Sequence, residues 1–273
     1  MEALLKDVEL NYDRKRVVSI DGNRMLAQIS KDYGYDCGIT ICGEYDAFNH
    51  FRVDSYFPYF IGAQISSQEP VSIERQIARE SYAGACDDPR MGLILIFQLI
   101  NPGDYLNACR GEVLRDYRSS LSLSALAVSG RILLPIAKSC REQEESRSQQ
   151  TRRDSLISAA RNGDQEAMES LTMEDIDTYS AISKRIQTED LYSIVETTMM
   201  PRGIECDQYH LVGEILDCSR TVNSRTGEQL VQMGICVNDV RMDICINAAD
   251  LLGEPAPGRR FKGDIWLQGH VEF

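Results

Sequence analysis

An imidazole beside two carboxylates is the arrangement in this chain with the most chemical reach: the run Glu44-Tyr45-Asp46-Ala47-Phe48-Asn49-His50 places Glu44 and Asp46 close to His50. Histidine titrates near neutrality, and a carboxylate can orient it or stabilise its charge, so the cluster has the parts of a general acid/base site. A polar loop joining two strands has the same composition, because Asp and Asn are turn formers. The other histidines are His210 and His270, so any histidine-dependent chemistry must use one of three residues.

A second cluster, Arg259-Arg260-Phe261-Lys262 followed by Trp266, sets cations beside an aromatic, as proteins that stack single-stranded nucleic acid do. On an alternating strand Phe261, Ile265 and Leu267 share one face, while Lys262, Asp264 and Trp266 share the other. Trp266 is then either a stacking platform or a residue covered by neighbouring helices. A third cluster, Asp87-Asp88-Pro89-Arg90, offers two carboxylates to a divalent cation, which wants several oxygen ligands. Asp-Pro is also turn chemistry, and Arg90 supplies a counter-charge, so a turn is expected there. Cys206 and His210 come nearest to a metal-ligand pair, but no second pair of matching spacing accompanies them. The nucleophile elbow, the phosphate-cradling loop ending in Lys-Ser or Lys-Thr, and His-Glu-x-x-His are all absent. No metal and no cofactor are expected.

The 273 residues carry a net charge of −13. A field of that sign repels phosphate backbones and anionic lipid, which argues against nucleic acid and membrane as partners. Nine cysteines without metal-type spacing fit a reducing compartment. The opening Met1-Glu2-Ala3-Leu4-Leu5-Lys6-Asp7 is charged and amphipathic rather than signal-like, and the longest apolar run, Met91 to Ile100, is about half a membrane span. A cytoplasmic location is the expectation.

The elements that must position these groups divide the chain into three segments. Residues 1–138 are expected to form a mainly antiparallel α+β domain. Helices are predicted over Glu2–Leu10 and Gly22–Asp32, where Met25, Leu26 and Ile29 recur at helical spacing. Strands are predicted over Cys37–Cys42, Phe51–Phe57, Val71–Ile77 and Gly92–Ile100, the last closed by an Asn101-Pro102-Gly103 turn. A hairpin of Leu121–Val128 and Arg131–Ile136 about Ser129-Gly130 completes the segment. Residues 139–203 read as a charged linker and short helices, with Asp164, Thr172 and Thr188 as caps. Residues 204–273 alternate strongly: Tyr209–Ile215, Leu230–Val237 and Val240–Ile246 form a meander, Ala248–Leu252 a helical turn, and Arg260–Gln268 a returning strand. That order matches a small five-stranded barrel of the oligonucleotide/oligosaccharide-binding (OB) type.

The stretch Leu171 to Tyr179, continuing through Gly203 to Tyr209 and Arg260 to Gly269, resembles an uncharacterised family of bacterial proteins classed as a domain of unknown function. The resemblance implies a bacterial cytosolic setting and brings no activity, cofactor or site residue. The composition and the missing motifs point to a non-catalytic binding or scaffolding module for a protein or a small ligand. An enzyme built around His50 with Glu44 or Asp46 is the first alternative. Single-strand nucleic-acid binding through Arg259, Arg260, Lys262 and Trp266 is the second.

Overall fold

A computed structural model describes residues 1–21, 24–46, 48, 50–75, 81–110, 120–136, 148, 151–153, 155–160, 162–185, 194–204 and 206–273. Residues 1–133 and 199–273 form one compact unit, and residues 134–198 form a second. The first unit is α+β and mostly strands, with two sheets.

The first sheet is an antiparallel meander of β1 (Arg14–Asp21), β2 (Arg24–Gly34), β3 (Cys37–Tyr45) and β4 (Phe51–Phe60). Helix α1 (Glu2–Leu10), where the sequence places it, lays Leu4, Leu5 and Val8 on one face against Ala27, Ile29 and Ile41. The helix expected over Gly22–Asp32 is instead β2, an inner strand of this sheet. Both faces of β2 are covered, so Leu26, Ala27 and Ile29 are all buried and the run loses the alternation that marks a one-sided strand. In β4 the pairing slips between Val53 and Ser55, leaving Asp54 as an extra residue. Bulges of this kind redirect side chains. Phe51 and Val53 accordingly pack in the α1 cluster, while Phe57 and Tyr59 join Cys42, Ile100 and Trp266 in another.

The second sheet begins with β5 (Val71–Arg75), β6 (Tyr82–Asp88) and β7 (Leu93–Leu99), followed by helix α2 (Pro102–Arg110) and the long strand β8 (Ser120–Leu133). It continues with β9 (Thr198–Pro201), β10 (Gln208–Val222), β11 (Gln229–Val237), β12 (Val240–Asn247), β13 (Leu251–Leu252) and β14 (Arg260–Glu272). Pro102 starts a helix rather than a turn, because its fixed φ and missing N–H suit the first helical position. The hairpin expected about Ser129-Gly130 is a single strand: Gly130 leaves the space into which the Phe261 ring of β14 packs, and a Cβ there would collide with it. Asn238 and Asp239, with φ of 48° and 61°, make the tight turn that their identities predict between β11 and β12.

Five strands close into a mixed barrel. Its ring runs β8, β12, β11, β10, β14 and back to β8, with β8 and β12 parallel and the other neighbours antiparallel. Met233 and Ile235 of β11, Val240, Met242, Ile244 and Ile246 of β12, and Phe261, Ile265 and Leu267 of β14 fill the core. The barrel therefore draws a strand from the first 138 residues, and β7 also pairs with β14. β-structure expected to stand apart in residues 1–138 and 204–273 shares one sheet.

In the second unit helix α3 (Gln165–Arg185) starts at Asp164, whose Oδ1 accepts from the N–H of Glu166 at 3.0 Å and of Ala167 at 3.3 Å. Thr172 does not begin another helix. It lies inside α3, and its hydroxyl donates back to the Met168 carbonyl at 2.8 Å. The Thr188 cap and most of the charged Ser139–Arg153 stretch lie outside the described residues. Among the described residues no helix is long and apolar enough to cross a membrane.

Gln268 of β14 fastens the two sheets. Its side chain is fully buried, its Oε1 accepts from the Phe60 N–H at 2.9 Å, and its Nε2 donates to the Pro58 carbonyl at 2.8 Å. Replacing it by Leu leaves a buried donor and acceptor unmatched, at about 2–4 kcal/mol in total. We expect Gln268→Leu to lower the unfolding free energy read from urea denaturation by that amount, with the exposed Gln229→Leu within about 0.5 kcal/mol of wild type. A Gln268→Leu protein as stable as the parent would remove this residue from the account.

Candidate functional site

Alternation on the first sheet gathers polar residues on the face turned away from α1. Arg14 stands opposite Ser30, and Ser30 opposite Thr40, so the three form a row across β1, β2 and β3. The Ser30 and Thr40 hydroxyls bond to each other at 2.7 Å. The next row pairs Arg16 with Gln28. These residues, with Tyr59 from β4, floor a cavity of about 260 Å3 whose other walls are Ile61, Ile100, Asn101, Asp104 and His270.

Both guanidinium groups are held by carboxylates through one terminal nitrogen. Arg14 Nη2 donates to Asp32 Oδ1 at 2.7 Å and to Tyr59 Oη at 2.6 Å, and Arg16 Nη2 meets Asp104 Oδ1 at 2.6 Å. Each fork keeps further N–H donors beyond these bonds. Tyr59 Oη in turn donates to Asp32 Oδ1 at 2.5 Å. Burial first, and then that hydrogen bond, push the Tyr59 phenol well above its ordinary range, so it stays protonated. Lys15 lies at the rim, but its ammonium donates to Tyr45 Oη at 2.6 Å.

Side-chain amides lock the opposite wall. Gln28 Nε2 donates to the Ile100 carbonyl at 2.8 Å, and Gln28 Oε1 accepts from the Gly103 N–H at 3.0 Å. Asn101 does the same to β14, giving its Nδ2 to the Val271 carbonyl at 2.8 Å and accepting the Val271 N–H at 3.2 Å. Gly103 in the first turn of α2 admits this close approach, since a Cβ there would press on the Arg16 stem and the Gln28 amide. The first turn of α2 thus borders the cavity with its positive dipole end.

His270 closes the site. Among the described residues no hydrogen bond reaches its ring, unlike the amides beside it. Burial pushes its pKa down against the opposing pull of Asp104 and Glu272, so the imidazole is neutral at pH 7 and can give one donor and one acceptor. The arrangement can bind a small ligand rich in acceptors. The described residues contain no group of three or more His, Cys, Asp or Glu placed to hold a metal ion.

The residues singled out from sequence lie elsewhere. Asp46 Oδ1 accepts the backbone N–H of Phe48 and of His50, each at 2.8 Å, and His50 Nδ1 lies 3.2 Å from Asp46 Oδ2 on an exposed loop. The His50 N–H, and then that of Phe48, hold the Asp46 carboxyl below its usual range. Ala47 and Asn49 lie outside the described residues. Glu44 sits on β3 opposite Arg52 and Leu26. Asp88 is buried and holds Arg90 through Nη2 at 2.6 Å and Ser67 through its hydroxyl at 2.6 Å, the turn expected of Asp-Pro-Arg. At the barrel, Arg259 Nη1 donates to the Glu254 carbonyl at 2.7 Å, Arg260 is buried and Lys262 is half-buried. Trp266 packs beside Phe57 and Tyr59, and its indole N–H donates to Asp207 Oδ2 at 2.6 Å. His210 pairs with Asp264 across β10 and β14. Arg14, Arg16, Gln28, Ser30, Thr40 and Tyr59 escaped sequence reasoning. Gln28 and Ser30 do alternate with the apolar Ala27 and Ile29 along β2, but Arg14 and Arg16 flank Lys15 on β1 and give no such signal.

The family model DUF3881, described as a domain of unknown function, E. rectale gene description, matches residues 1–269. No curated protein and no solved structure matches the chain.

A neutral, half-buried imidazole sets a pH dependence. The folded-state pKa of His270 lies below the value of about 6.5 in the unfolded chain, so on acidification the unfolded state takes up the proton first. Its contribution to stability is whole above about pH 6.5 and falls as the pH drops from there toward the folded-state pKa. We expect an NMR titration midpoint below 6.5 for the His270 ring, and a shallower loss of stability below pH 6.5 in His270→Gln. A midpoint at or above 6.5 would contradict the half-buried placement of the ring.

Proposed function

We propose that this chain, which belongs to the DUF3881 family, is a non-catalytic binding module whose cavity takes a small acceptor-rich anion of the carboxylate or phosphate class. The observation that carries the reading is a pair of arginines, Arg14 and Arg16, pre-oriented by Asp32 and Asp104 with donors to spare, around a cavity that also holds the His270 ring, which no described residue hydrogen-bonds. Guanidinium forks match carboxylate and phosphate oxygens in geometry and charge. Holding them in place beforehand lowers the entropy lost on binding.

The barrel supports the broader reading of an OB-like scaffold. The β10–β11–β12 meander, the place of β14 between β10 and β8, and the parallel β8–β12 pair reproduce the neighbour relations of that barrel, with its last strand supplied from ahead of the others in sequence. A fold of this kind hosts many ligands, so the ligand class rests on the cavity.

Titration calorimetry with inorganic phosphate and with succinate tests the reading. We expect saturable one-to-one binding of at least one anion, weakened about 10-fold or more by Arg14→Gln and by Arg16→Gln, as losing a charged hydrogen bond predicts. Arg220→Gln, whose partner Glu254 lies away from the cavity, should bind as the parent does. Absence of binding, or binding indifferent to both cavity substitutions, would defeat the proposal.

A further inference from the structure

Two thiols far apart in sequence meet where the four-stranded sheet touches the barrel. Cys37 opens β3 opposite Phe60 of β4, and Cys245 lies on β12 between Gln232 of β11 and Leu126 of β8. The two cysteines and Phe60 form one buried cluster, closed by Leu126 and Leu230. Gln232 braces the contact by reaching across to the Tyr35 carbonyl at 2.6 Å. Other cysteines stand differently: Cys86 faces the Ser67 hydroxyl, and Cys109 and Cys218 are exposed.

We infer that Cys37 and Cys245 are a reversible disulfide pair, closed by small-molecule disulfides, that links the four-stranded sheet covalently to the barrel. The neighbouring Cys245 thiol pulls the Cys37 pKa down and favours its thiolate, while Cys37 in turn pushes the Cys245 pKa up, so Cys245 stays protonated until Cys37 has reacted. Cys37 attacks one sulfur of the oxidant, whose S–S bond breaks and releases one small thiolate, which takes up a proton. Cys245 then attacks the mixed disulfide at the Cys37 sulfur, gives up its proton, and releases the second small thiol. Two protein thiols are oxidised, and one small disulfide is reduced to two thiols. Entry is through the turn before Cys37, where Tyr35 is exposed and Asp36 has φ of 52°. Local opening of such a turn costs far less than global unfolding.

The test treats the full chain with oxidised glutathione at neutral pH, alkylates it in denaturant, digests it without reduction, and maps the peptides by mass spectrometry. The expected result is a Cys37–Cys245 linked peptide that disappears with dithiothreitol and is absent from Cys245→Ser treated alike. The oxidised protein should melt roughly 5–10 °C higher, because the link closes a long loop. Recovery of Cys37 and Cys245 fully alkylated, with glutathione confined to Cys109 and Cys218, would overturn the inference. The wild-type peptide map decides the matter even if the serine variant fails to fold.

Discussion

One buried amide holds this architecture together. Gln268 has its backbone in the barrel ladder and its side chain in the last turn of β4, matching a donor and an acceptor there as a neighbouring strand would. Ser124 on the adjacent β8 adds a hydroxyl to the Phe60 carbonyl at 2.5 Å, so the same short stretch of β4 is tied to two barrel strands. Buried polar groups are costly when unmatched and orienting when matched. The sheet can therefore sit on the barrel in one register, and the cavity exists because that register does.

The same device recurs along the seam. Gln28 closes on the backbone of residues 100 and 103, Asn101 on Val271, and Gln232 on Tyr35. Each amide satisfies main-chain groups that regular pairing leaves over, and each thereby fixes one wall of the cavity or one edge of the contact. Against that background the His270 ring and the spare guanidinium donors of Arg14 and Arg16 stand out. Among the described residues, these are cavity groups that keep hydrogen-bonding capacity to spare.

Local signals made part of this legible. Helix α1, the β10–β11–β12 meander and the Asn238-Asp239 turn follow from amphipathic spacing, alternation and turn chemistry, all of which act over a few residues. β2 carries a helical spacing because burial on both faces erases alternation, and β8 looks like a hairpin because Gly130 signals a turn unless Phe261, more than a hundred residues later, is known to need the space. The barrel's composition escaped for the same reason, since its fifth strand comes from before residue 138. The family resemblance was visible in the second half of the chain and extends across residues 1–269. The cavity was not visible, because Arg14, Ser30 and Thr40 are neighbours through strand register and share no sequence motif. His50 drew attention through proximity along the chain, while the histidine that lines the cavity, His270, has its companions on distant strands.

Whether the cavity takes an anion is decided by an amide and side-chain NMR titration of the isotope-labelled protein with phosphate at low ionic strength. Anion binding in the cavity gives saturable shifts confined to Arg14, Arg16, Asn101, His270 and their neighbours, with the Arg259–Lys262 region still. Shifts centred on Lys262 and Trp266, or scattered without saturation over the surface, would contradict it.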